Sequence, residues 1–186
     1  MNGIRRWALA AAMLLASAQA AAIDDRFNAA KYDKGGFAPV NDALYAKECG
    51  SCHFTYMPGM LPERSWRKLM STGNQHFGES LSLAPDVAQH IEAYLAANAA
   101  DHSPYRGSEV ILYGLSKDAV PTRITMLPLM RQRHVVVRKL MADTNTSFKV
   151  LSNCETCHEN TSTGSFAYDQ IVVPGISKVV RPGGMF

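Results

Sequence analysis

All four cysteines of this chain, and two of its six histidines, fall into two five-residue runs: CGSCH at Cys49–His53 and CETCH at Cys154–His158. Two thiols spaced C-x-x-C can reach the two vinyl groups on one edge of a porphyrin. A histidine that follows at once can turn its imidazole onto the iron from the same side. The spacing therefore points to covalently attached haem c, twice. Cys49 and Cys52 would hold one haem with His53 as proximal ligand, and Cys154 and Cys157 the other with His158. A redox disulfide leaves the histidine that follows each pair unexplained. A single four-cysteine zinc site would have to span the 105 positions from Cys49 to Cys154, far more than zinc ribbons use. Ordinary disulfides of an exported chain are the remaining alternative.

The sixth ligand of each iron decides whether such a protein is a wire, a sensor or an enzyme. For the first haem the candidates are Met57, Met60, Met70, His76, His90 and His102. Met57 lies four residues past His53, a link of at most about 14 Å, too short to pass easily around a porphyrin edge. Met60 has a similar difficulty. Met70 falls on an apolar helical face, where methionine usually fills core. His90 sits at the edge of a helical stripe, and His102 follows that helix in a polar loop. His76 lies 23 residues past His53 in GNQHFG, between two predicted helices and flanked by glycines. A loop of that kind can fold over a haem face, so His76 is favoured. An exposed loop histidine is the plain alternative, opposed by the adjacent Phe77.

The elements expected around these residues are helical. Asn41-Asp42 can cap a helix from Ala43 to Glu48 that runs into CGSCH. FTYMPGMLP reads as a loop by its proline and glycine. Trp66, Leu69 and Met70 mark a following helix, with Gly73 as its stop. A longer helix is expected from about Ala84 to Ala97, with Pro85 in its first turn and Val87, Ile91, Tyr94 and Leu95 on one face. This order resembles a small class I cytochrome c. Asp101 to Val120 reads as a connector.

Only 28 residues follow His158, with no histidine and one methionine, Met185. The ligand of the second haem is therefore expected upstream. Met130, His134, Val137 and Met141 recur at i, i+4, i+7 and i+11, which predicts a helix over Leu129–Ala142 with His134 alone on its apolar face. His134 is the favoured ligand, with Met130 and Met141 as rivals. A core histidine bonded to backbone is the alternative. Arg131, Arg133, Arg138 and Lys139 surround it: a solvated face, a neutraliser of haem propionates, or a dock for an acidic partner.

The fold class expected is mainly α. A class I cytochrome c-like haem domain would span 21–100, and a smaller, irregular haem region 101–186. Residues 1–20 read as a cleavable export signal: MNGIRR, then the apolar WALAAAMLLAS, then Ala18-Gln19-Ala20. The apolar run is shorter than the roughly 20 residues a spanning helix needs, so no integral membrane segment is expected after cleavage. Cleavage would reduce 19 cationic side chains to 17 against 16 acids, taking the charge from +3 to +1. With four haem propionates added, nucleic acid is not expected as a partner.

The stretches CGSCHFTYMPGMLPERSWRKLM, HFGE, AYLAANAAD, Arg123-Ile124-Thr125, His134, NCETCH and GSFAYDQIVVPG resemble the small periplasmic dihaem cytochromes c, over nearly all of the chain beyond the leader. The resemblance implies two bis-histidine, low-spin haems, with His76 facing His53 and His134 facing His158. It further implies electron transfer in the periplasm to a small high-spin, oxygen-binding cytochrome, with a membrane cytochrome b as possible donor. Three readings compete. A dihaem peroxidase or small-molecule reductase, or a redox or gas sensor, would need one open iron. The electron-delivering subunit of a periplasmic nitrate reductase has haem motifs closer together.

Overall fold

A computed structural model describes residues 36–143 and 151–174. These residues all belong to one unit, Lys34–Phe186. The leader, its cleavage point after Ala20, and Met185 lie outside the described residues. Among the described residues there is no strand, only six helices, short 3-10 turns and two isolated bridges. No helix among them is long and apolar enough to cross a membrane.

Helix α1 (Ala43–Gly50) begins where Asp42 accepts a hydrogen bond from the Tyr45 amide, satisfying one of the orphan donors of the first turn. It delivers Cys49 on its last turn. Helix α2 (Glu63–Ser71) follows Pro62, and α3 (Pro85–Ala97) starts with a proline at its first position, where no amide is needed. Trp66 from α2 and Ile91 and Leu95 from α3 are buried together with Tyr45 of α1.

The proline- and glycine-rich segment between α1 and α2 is the most enclosed part of the chain. Residues 57–62 are all buried, and Pro58–Met60 form one 3-10 turn. The loop expected from composition is thus core. Buried carbonyls need donors, and the Trp66 indole N–H supplies one to Pro58 at 2.7 Å. Trp66→Phe leaves that carbonyl unpaired and is expected to cost about 1–3 kcal/mol, to be measured by denaturant unfolding of the holoprotein.

Two sequence expectations change. The Asp101–Val120 connector contains helix α4 (Arg106–Leu112), whose Gly107, Ser108 and Ile111 are buried. Seven residues are too few to display a helical period, so tertiary contact rather than pattern defines this helix. The helix expected over Leu129–Ala142 is two: α5 (Pro128–Arg133) and α6 (Val135–Asp143), interrupted at His134, which has φ −104° and ψ 16°. The β-branched run Val135–Val137 is stiff at χ1 and a poor helix former. The Met130 carbonyl also accepts from both the His134 amide, at 3.1 Å, and its ring Nδ1, at 2.8 Å.

The hydrophobic core crosses residue 100. Ile111, Ile124 and Leu127 pack in one cluster with Met60, Leu61 and Ile91. Three distant segments also meet backbone to backbone. Phe37 N–H donates to the Gly164 carbonyl at 2.9 Å, and Gly107 N–H donates to the Gly36 carbonyl at 2.6 Å. A Cβ on Gly107 would lie 2.1 Å from the Gly36 carbonyl oxygen, and one on Gly164 2.0 Å from that of Phe37. The chain just before α1 thereby clasps the segment that follows CETCH.

Candidate haem sites

The first C-x-x-C-H run starts on the last turn of α1, and the second starts on a 3-10 turn. Cys49 closes α1, and Gly50 lets the chain bend back against Thr55 Oγ1, which a Cβ would meet at 2.4 Å. In the second run a single 3-10 turn spans Cys154–Thr156, and the His158 amide donates to the Cys154 carbonyl at 2.9 Å. All four cysteines are free thiols here. Burial pushes the Cys49 thiol up to about 11 and the Cys154 thiol up to about 12, with Glu48 and Glu155 adding to the effect. Neither is an activated thiolate in the folded chain.

The histidines are arranged in two facing pairs. The His53 and His76 ring centres are 6.1 Å apart with planes at 20°. Those of His134 and His158 are 6.2 Å apart with planes at 67°. Metal–imidazole bonds run about 2 Å, and with half of each ring on either side two such bonds span roughly 6.3 Å. Each gap has the width that one iron between two imidazoles requires.

The ring nitrogens of His53 and His134 agree with that use. A carbonyl can only accept, so Nδ1 of His53 donates to Phe54 O, and Nδ1 of His134 to Met130 O, both at 2.8 Å. Each Nε2 then keeps its lone pair for a metal. Nδ1 of His76 and of His158 are buried without a partner. Burial pushes His158 down to about 4, and a charge on His134 acts the same way. Burial likewise lowers His76, followed by the charges of His53 and Arg123. Both shifts favour the neutral imidazole, the form that binds iron.

The other candidates are engaged elsewhere. His90 Nε2 lies 2.7 Å from Asp42 Oδ2, and His102 Nε2 lies 2.8 Å from Glu63 Oε2, so His102 pairs at the start of α2. Met57 and Met60 are buried in the core, and Met70 packs against it. Met130 also packs against the core. Among the described residues no three His, Cys, Asp or Glu side chains converge as a bare metal ion would require.

Several residues at these sites carried no motif signal. His76 heads a tight turn in which Phe77 takes φ +56°, and the Arg123 guanidinium lies 4.0 Å over the Phe77 ring. The Phe166 ring is 4.9 Å from His158 and edge-on to Phe37 at 5.5 Å. The Val172 amide returns to the Cys157 carbonyl at 2.8 Å. Tyr56 packs 5.4 Å from the His53 ring. Two hints existed: its aromatic type in a Pro/Gly-rich loop three residues past His53, and its place inside the stretch CGSCHFTYMPGMLPERSWRKLM. The tail after CETCH and the chain before α1 thus line the second site together.

A family model described as dihaem cytochrome c matches residues 45–166. A solved structure of a dihaem cytochrome c from Rhodobacter sphaeroides is 38% identical, with TM-score 0.60, covering 69% of this chain and 99% of that one. A dihaem c-type cytochrome from Shewanella baltica OS155 is 31% identical, with TM-score 0.56, covering 72% of this chain and 93% of that one. No curated protein matches the chain.

Proposed function

The chain belongs to the dihaem cytochrome c family, a haem electron-transfer protein with two covalently attached haem c groups, and from that premise we propose how each haem is held and where its electrons go. Cys49 and Cys52 would hold the first haem, with His53 and His76 as its iron-binding histidines. Cys154 and Cys157 would hold the second, with His158 and His134. The observation that carries this reading is the pair of iron-sized gaps, 6.1 and 6.2 Å, between facing imidazoles.

Each haem supplies a one-electron centre. His53 and His134, oriented by carbonyl acceptors on Nδ1, hold their Nε2 lone pairs toward the metal. His76 and His158 would bind from the other side, which would leave no coordination position for a substrate. Histidine on both sides, without a thioether, favours low reduction potentials.

The function is single-electron transfer in the periplasm, from a membrane-bound donor to a soluble haem protein acceptor. The export-type start MNGIRRWALAAAMLLAS supports the compartment. Exposed Arg131, Arg138 and Lys139 beside His134 support an acidic partner surface.

The optical spectrum of the reduced holoprotein before and after carbon monoxide tests the reading. An unchanged spectrum is expected. A shift in one haem's share of absorbance would replace the carrier with a sensor or enzyme that has an open iron. The ring angles give an independent expectation. Nearly parallel imidazoles split the iron d orbitals rhombically, whereas crossed imidazoles leave two of them close in energy. Frozen-solution electron paramagnetic resonance of the oxidised protein should therefore show a rhombic low-spin signal from the first haem and a strongly anisotropic one from the second. Two identical rhombic signals would contradict the 20° and 67° angles.

A further inference from the structure

Tyr56 touches both sites. Its ring centre lies 5.4 Å from that of His53 and 5.3 Å from that of Phe54, edge-on to the latter. Its hydroxyl donates to the Ser152 carbonyl at 2.8 Å, across 96 positions of sequence. Ser152 stands two residues before Cys154, whose thiol contacts the same carbonyl oxygen at 3.8 Å. The Tyr56 backbone is held too: its carbonyl accepts from the buried Tyr45 hydroxyl at 2.6 Å, and Tyr45 is on α1, four residues before Cys49. One residue is thus gripped by the helix that carries the first attachment site and bonded to the segment that opens the second.

We propose that Tyr56 is the positioning residue that couples the two haems, holding the Cys154 segment at a set distance from the His53 imidazole and carrying the packed contact across which the centres exchange electrons. The proposal rests on the axial ligation given above and goes beyond it, because ligation alone requires no link between the sites. Its physical basis is the double anchoring. A phenol ring fixed at both ends has little freedom, whereas a contact made by solvated loops would leave the separation of the two attachment segments loose. Electron exchange depends steeply on separation, so loss of one bond at this point acts on rate before it acts on fold. The ring and the hydroxyl have separable duties. The ring packs on the His53 imidazole, and the hydroxyl gives the Ser152 carbonyl a short bond beside the long Cys154 thiol contact.

The test uses the full-length holoprotein as wild type, Tyr56→Phe and Tyr56→Leu. Haem content and far-ultraviolet circular dichroism establish that each variant is loaded and folded. Half-reduced samples are then compared by nuclear magnetic resonance exchange spectroscopy of the haem methyl groups, which reads interhaem exchange directly. Tyr56→Phe keeps the ring, and exchange is expected to be several-fold slower, with the paramagnetic resonance signal of the second haem altered. Tyr56→Leu removes the ring as well and is expected to be slower again. Exchange and second-haem signal both equal to wild type in Tyr56→Phe would overturn the proposal. If Tyr56→Leu fails to load haem, Tyr56→Phe decides alone. Failure of the ligand assignment would show separately, in His76 and His134 variants, whatever Tyr56 does.

Discussion

His76→Met raises the reduction potential of one haem and leaves the other unchanged, and His134→Met does the same to the second haem only. A thioether is a weaker donor than an imidazole and favours the ferrous state. The rise expected is on the order of 0.1 V, a modest part of the roughly 0.8 V over which axial ligands set haem potentials. Spectroelectrochemical titration of each variant reads it. The two substitutions should act independently, because the facing pairs share no histidine. His90→Met and His102→Met provide controls, since those rings sit on Asp42 and Glu63. If neither His76→Met nor His134→Met moves a potential or a spectrum, both ligand assignments fall.

Gly164→Ala unfolds the second site at a lower temperature. Gly164 has φ +78°, and an added Cβ would lie 2.0 Å from the Phe37 carbonyl oxygen. The left-handed conformation alone costs a non-glycine residue about 1–2 kcal/mol. The clash comes on top, and it is with backbone, which cannot rotate away. A total of about 3 kcal/mol is expected, which in a chain of this size lowers the melting temperature by about 10 °C. Melting followed at the Soret band should show the change. A melting temperature within a degree or two of wild type would mean that the clasp between Phe37 and Gly164 is not held in solution.

Attachment chemistry was legible because it is local. Both cysteines and the proximal histidine of a C-x-x-C-H run sit on one short turn, so spacing alone states what they can hold. The proposed distal residues were narrowed by elimination, because loop length and helical period limit where a side chain can go. That His76 lies opposite His53, and His134 opposite His158, is a matter of ring distance, which no spacing specifies. The break at His134 was hidden because Met130, His134 and Val137 satisfy a helical period that the chain does not continue through. Helix α4 was hidden because its seven residues are apolar on too few positions to show a face.

The sequence by itself determined the two C-x-x-C-H runs, the two haem c groups they imply and the helical class. Only the tertiary structure decided what encloses that site. Gly36, Gly107 and Gly164 approach closely because none has a Cβ, and Phe37 backs the Phe166 ring that packs on His158. The contacts of Gly36 and Phe37 with Gly164 and Phe166 join residues more than a hundred positions apart. Their free energy exists only once the core that spans residue 100 has formed, so no local pattern could have announced them.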